Sequence, residues 1–267
     1  MTQGGDRLAT AISKAATAGR PAVAAFLTAG FPSRASFPSL LCEVSAASDV
    51  LEVGVPFSDP MADGVTIQRA SRIALLDATT LSWILAALVS RVPSMAAPVV
   101  LMSYVNPLLA YGASRLARDA KEAGVSGLIV PDLPIEEQGL LRPHLHAAGL
   151  ALIQMVTPTT PGPRLVRLAA ESDGFVYAVT ITGTTGGRLN ALAELTGYLE
   201  RVRAATSQPI LAGFGVRTRD DVAAMVPPAD GVVVGSALLA AIERGESPGT
   251  FLAGLLAGPR ASEGARP

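Results

Sequence analysis

The chain's 267 residues are 49% hydrophobic and only 16% charged, which supplies a large core, excludes disorder over the body, and suits one α/β barrel or two small domains. A formal net charge of -1 at pH 7 offers no basic excess for nucleic acid or an anionic membrane. The single cysteine, Cys42, rules out an internal disulfide or a cysteine-built zinc cage, points to a reducing cytosol, and reads as a small buried hydrophobe.

The N-terminal stretch carries Lys14 and Arg20 but no apolar core of signal-peptide length, and no apolar run approaches the roughly 20 residues of a membrane helix. Residues 7–18 predict a helix ahead of the first strand. Val-, Ile- and Leu-rich runs then recur as AVAAFLTAG from Ala22, VLEVGVP from Val50, PVVLMSYVN from Pro98, GLIVPDLP from Gly127, LALIQMVTP from Leu150, GFVYAVTIT from Gly174, PILAGFG from Pro209 and GVVVGS from Gly231. Ala-rich amphipathic stretches lie between them, among them 114–123, 136–148, 164–172 and 192–205, with Gly or Pro at most junctions. Such alternation predicts a (β/α)8 TIM barrel with an extra N-terminal helix, a single domain over 1–267 with 258–267 a frayed tail. A doubly wound open sheet is the alternative.

In a barrel the site lies where strands end, and the unusual residues stand there: Thr28, Glu52, Tyr104 with Asn106, Asp132, Thr157, Thr180 and Gly215. Glu52 is the most informative, since Leu51, Val53 and Val55 flank it in a strand covered on both faces. Burial disfavours the ionised carboxyl and raises its pKa, as an acid/base group requires. A buried ion pair with an arginine is the structural alternative for Glu52. Asp63 falls on the turn-rich loop that follows, more exposed and expected to stay ionised; a helix N-cap is its plain alternative.

Glycine-bearing turns end the last three strands: GTTGG from Gly183, GFG from Gly213, and Gly235-Ser236. Glycine lets backbone N–H groups approach an anion, and a helix opening at Ser236 adds unpaired amides, the pattern of a barrel phosphate site; ordinary turns are the alternative. Residues 182–188, with three glycines and several hydroxyls, make a candidate lid. Phe26, Met102, Tyr104, Tyr177 and Phe214 are large side chains on strands of an aromatic-poor chain, able to hold a flat apolar group or simply to fill the core. His144 and His146 build no metal triad, and Trp83 reads as helix packing.

The segment LEVGVPFSDPMADG, with FLTAGFP, SYVNPLLAYG, IVPDLPIEE, TGTTG, AGFGV and DGVVVGSAL in order over nearly the whole chain, closely resembles the tryptophan synthase alpha-subunit family. The resemblance implies cytoplasmic retro-aldol cleavage of indole-3-glycerol phosphate to indole and glyceraldehyde 3-phosphate, with no cofactor or metal in this chain. It also implies pairing with a pyridoxal-phosphate beta subunit in an alpha-beta heterotetramer. Glu52 matches the family's acid/base glutamate and Asp63 the aspartate that bonds the indole N–H. Phe26, Met102, Tyr104, Ile129, Tyr177 and Phe214 would line the indole pocket. Gly186, Gly215, Gly235 and Ser236 would hold phosphate through backbone amides, and Thr185 matches a lid threonine that contacts the aspartate. Asn106 and the 56–63 loop match segments facing the beta subunit.

Val65 stands where the family usually has proline, which would loosen the loop that aims Asp63. Thr180 replaces a frequent serine and Thr184 a frequent valine. A free-standing lyase releasing indole, another phosphosugar enzyme on the same barrel, and an idle barrel that activates a beta subunit stay as alternatives. Schiff-base chemistry is disfavoured, because the two lysines, Lys14 and Lys121, fall on predicted helices.

Overall fold

The computed structural model describes residues 2–91, 94–180, 188–213 and 215–256, with the side chains of 188–191 left aside. Eight parallel strands close a barrel in sequence order. They are β1 Ala22–Thr28, β2 Val50–Gly54, β3 Val99–Met102, β4 Val125–Ile129, β5 Ala151–Val156, β6 Val176–Val179, β7 Ile210–Gly213 and β8 Gly231–Val234. All eight expected runs are strands, and β1 pairs with both β2 and β8, so the open sheet does not form. Among the described residues no single helix is long and apolar enough to cross a membrane.

Alternation along each strand divides two cores. Val23, Leu27, Leu51, Val53, Leu101 and Leu128 face the surrounding helices. Ala22, Ala24, Val50, Val100, Ile129, Ile153, Phe175, Tyr177 and Leu211 fill the interior. The expected N-terminal helix, α1 Gln3–Thr17, begins earlier than residue 7 because Thr2 caps it, its hydroxyl accepting from Gly5 N at 3.1 Å. Leu8, Ile12 and Ala15 of α1 belong to the interior cluster and plug the bottom of the barrel.

One expected helix divides in two. The stretch 136–148 is not one helix but a 3-10 segment, Ile135–Leu140, followed by an α-helix, Arg142–Ala147. Pro143, in the first turn of the second piece, has no N–H to continue the first helix. Cys42 is half-buried, with its sulfur 3.6 Å from Ser94 Oγ, so it is not a purely apolar filler. Trp83 packs on Phe37 with ring centroids 5.8 Å apart, as its helix position suggested.

Candidate active site

Register brings Glu52 of β2 beside Phe26 of β1 and Val100 of β3, on the inward-facing side of the strands. The residue is 2% exposed and its Oε1 has no hydrogen-bond partner among the described residues. No arginine pairs with it there, so the structural alternative of a buried ion pair is not realised. Loss of hydration pushes the Glu52 carboxyl from its ordinary 4.5 up to about 8, and the nearby charge of Asp63 adds to the rise. At pH 7 the acid form is then favoured by about tenfold.

Asp63 is set by its loop. Its N–H donates to Pro60 O at 3.1 Å, and the following helix, α3 Val65–Leu76, has Gly64 at its N-cap with no side-chain cap. The N-cap role is therefore not taken by Asp63. Nor is Asp63 the freely exposed carboxylate expected from the loop: it is half-buried, and desolvation lifts its pKa to about 6, opposed by a hydrogen bond from Tyr104. It remains mostly ionised at pH 7. Tyr104 Oη donates to Asp63 Oδ2 at 3.3 Å and accepts from Ala62 N at 2.8 Å, while its ring stacks on Phe57 at 5.0 Å. Val65, the first residue of α3, is 82% exposed. The missing proline is offset by Gln68, whose Nε2 donates to Asp63 O at 2.9 Å and ties the loop to the helix.

Glu52 and Asp63 open on a cavity of about 460 Å³, walled by Phe26, Ile67, Met102, Tyr177, Val179 and Val233, with Gly215, Arg217, Gly235 and Ser236 on its boundary. Two glycines make room for the aromatic walls. A Cβ on Gly54 would lie 2.4 Å from Phe26 Cζ, and one on Gly213 would lie 2.7 Å from Tyr177 Oη. Gly235 precedes an eight-residue helix, α11 Ser236–Glu243, whose first amides lie at the cavity edge.

Nine of the residues singled out in the sequence thus meet at one cavity: Glu52, Asp63, Phe26, Met102, Tyr177, Thr180, Gly215, Gly235 and Ser236. Tyr104 does not line it; that residue begins the helix after β3 and props the Asp63 loop from a small adjoining chamber. Ile129 is packed in the barrel interior beside Met102. Asp132 ties the loop after β4 to the helix after β3, accepting from Val105 N at 2.8 Å, and Thr157 bonds Thr160 within its own loop. Thr180 donates to Gly213 O, tying β6 to β7. Thr185, Gly186, Phe214, most of the candidate lid and the 258–267 tail lie outside the described residues. Ile67, Val179, Val216 and Arg217 were not foreseen; their residue types carry no signal, and only the approach of α3 and the β7 turn to the barrel mouth recruits them.

A closed barrel whose mouth gathers two unequal carboxylates against apolar walls suits acid/base chemistry on a partly apolar ligand. The family model for the tryptophan synthase alpha chain matches residues 12–257. The tryptophan synthase alpha chain of Desulfovibrio desulfuricans is 45% identical over 245 residues, covering 91% of this chain and 96% of that one. The alpha chain of Bacillus cereus is 48% identical over 198 residues, 74% of this chain and 77% of that one. Tryptophan synthase from M. tuberculosis, in an open form with BRD0059 bound, superposes with a TM-score of 0.84 at 33% identity, covering 93% of this chain and 96% of that chain. Tryptophan synthase subunit alpha from Legionella pneumophila str. Paris gives 0.84 at 31% identity, covering 96% and 97%. The chain belongs to the tryptophan synthase alpha chain family, the carbon–carbon lyases that convert indole-3-glycerol phosphate to indole and glyceraldehyde 3-phosphate in tryptophan biosynthesis.

Proposed function

We propose that Glu52 is the proton carrier of this cleavage and Asp63 the group that holds the indole N–H. A protonated Glu52 delivers its proton to indole C3, and the ring becomes cationic. The resulting Glu52 carboxylate takes the proton of the hydroxyl on the adjoining glycerol carbon; the carbon–carbon bond breaks, its electron pair returns to the ring, and the aldehyde leaves. Glu52 ends the cycle protonated. The ionised Asp63 stabilises the cation between these steps, acting in a partly desolvated site where its charge counts for more than in water. The burial of Glu52 without a cationic partner carries this reading, because an arginine beside it would hold the carboxyl ionised and unable to donate.

Phe26, Met102 and Tyr177 supply flat apolar walls for the indole, and the turns at Gly215, Gly235 and Ser236 supply amides for the phosphate. Tyr104 acts on the substrate through Asp63. Acid/base and electrostatic work by these residues needs no cofactor in this chain, and pyridoxal phosphate is expected only in the beta subunit. The face beside the Asp63 loop suits that partner. Val65 and Leu76, 82% and 81% exposed, line a groove with Phe57, Pro60 and Arg72; Met61, next to Pro60, is 91% exposed, and Asn106 is also exposed. An indole-release assay on the isolated chain, repeated with a beta subunit, tests both parts. Release of indole supports the lyase reading and its absence in both settings contradicts it; activation on mixing supports the partner, and no change favours a free-standing lyase.

A further inference from the structure

Charge is unevenly placed around the cavity. Glu52 and Asp63 are its carboxyl groups, of which Asp63 is the ionised one; Arg217, two residues beyond Gly215, is the one cation among its described lining residues. The main chain there is held from one side chain: Asp221 Oδ2 accepts from Arg217 N at 2.9 Å, Thr218 N at 2.8 Å and Thr218 Oγ1 at 2.9 Å. Thr218 Oγ1 accepts in return from Asp221 N, completing a capping box for α10 Arg219–Met225. Asp221 thereby spends its oxygen on the backbone and hydroxyl of this turn. Of the acids near the outer groove, Glu246 pairs with Arg244 at 2.7 Å and Glu243 pairs with Arg69. The Arg217 guanidinium forms no ion pair among the described residues, and the residue borders both the cavity and the outer groove beside Thr250. An arginine on a fixed turn, with no acid partner among the described residues, beside glycine amides and a helix N-terminus, is open to an anion.

We propose that Arg217 is a specificity residue that contacts the phosphate of the substrate, closing over a phosphate monoester seated on the amides of Gly215, Gly235 and Ser236. This rests on the reading of the cavity given above and goes beyond it. Backbone amides and a helix end offer only partial charges, whereas a phosphate monoester carries about -1.5 to -2 at pH 7. A guanidinium adds a full charge and a planar fork that matches two phosphate oxygens. It would bind the phosphorylated end and leave the indole end untouched.

The test is calorimetric titration of the intact chain with sn-glycerol 3-phosphate and, separately, with indole. Arg217→Gln is expected to weaken glycerol 3-phosphate binding by roughly 5- to 20-fold, given an exposed charge-assisted contact. Arg217→Lys should restore a large part of the loss, indole affinity should not move, and the Michaelis constant for indole-3-glycerol phosphate should rise with kcat retained. Unchanged glycerol 3-phosphate affinity in a folded Arg217→Gln chain overturns the assignment, as does a wild-type chain that does not bind this probe. Equal loss of indole affinity would also overturn it, by showing a general distortion. A wild-type chain that binds the probe in an Arg217-dependent way yet releases no indole overturns the lyase reading and leaves Arg217 in place.

Discussion

At the lower rim of the barrel, where strands begin, Asp49 accepts from Val23 N at 2.9 Å and from two nitrogens of Arg20 at 2.7 Å. Asp230 repeats the arrangement with Ile210 N at 2.7 Å and Arg203 at 2.6 Å, and Asp173 does so with Leu152 N at 3.0 Å and His146 at 2.8 Å. Each acid ties the start of its own strand to the strand before it and has a basic side chain at hand. At the upper rim, among the described residues, Glu52 has no cation and Asp63 has a tyrosine hydroxyl and its loop. Partnering, more than burial or residue type, therefore divides structural acids from chemical ones. A paired carboxylate holds the backbone, while an unpaired buried one can change protonation state in the reaction.

The sharpest way to break this contrast is at the upper rim. Glu52→Gln keeps the shape of the side chain and removes the transferable proton, so indole release should fall by at least ~10²–10⁴ with the circular dichroism spectrum unchanged. Turnover like that of the wild type would end the assignment of Glu52. The same substitution should alter stability in the opposite sense at high pH. Because the folded pKa of Glu52 lies above its unfolded value, the native state holds more protons between about pH 4.5 and 8, and stability declines as pH rises through that window. Glu52→Gln should remove this decline, a gain on the order of a few kcal/mol above pH 8 relative to pH 4, read from denaturant melts at both. A parallel pH dependence in the two chains would show Glu52 to be ionised without cost.

At the lower rim the pattern should reverse. Asp49→Asn, which weakens a charge-assisted clip half open to solvent, should cost roughly 1–2 kcal/mol and lower Tm by several degrees, with kcat per folded molecule unchanged. A loss of turnover without a loss of stability would erase the division between the rims. The smallest effect is expected for Tyr104→Phe. Stacking on Phe57 survives there but the bonds to Asp63 and Ala62 do not, so kcat should fall by about 3- to 10-fold in the indole-release assay.

Much of the upper rim was legible in the sequence because its cues are local. A charged residue at the centre of an alternating apolar run predicts an inward carboxyl, and glycine turns after the last strands mark where amides converge. Asp63 was harder to read: nothing in the ADG triplet shows that Tyr104, 41 residues away, donates to it, or that burial raises its pKa. The contribution of Gln68 in place of a proline at Val65 was equally hidden, since it depends on a side chain folding back over one helical turn. The lower-rim clips, too, join residues 20 or more positions apart, and an aspartate before a strand looks the same in sequence whether an arginine reaches it or not.

Infrared difference spectroscopy of the wild-type chain against Glu52→Gln, titrated from pH 5 to pH 10 in the indicated range of the Glu52 carboxyl, reads its protonation state without any substrate. A protonated-carboxyl band present at pH 7, absent from the variant and lost with a midpoint near 8, is the expected result. A carboxylate band already complete at pH 6 would contradict the assignment of Glu52 as the buried acid of this barrel.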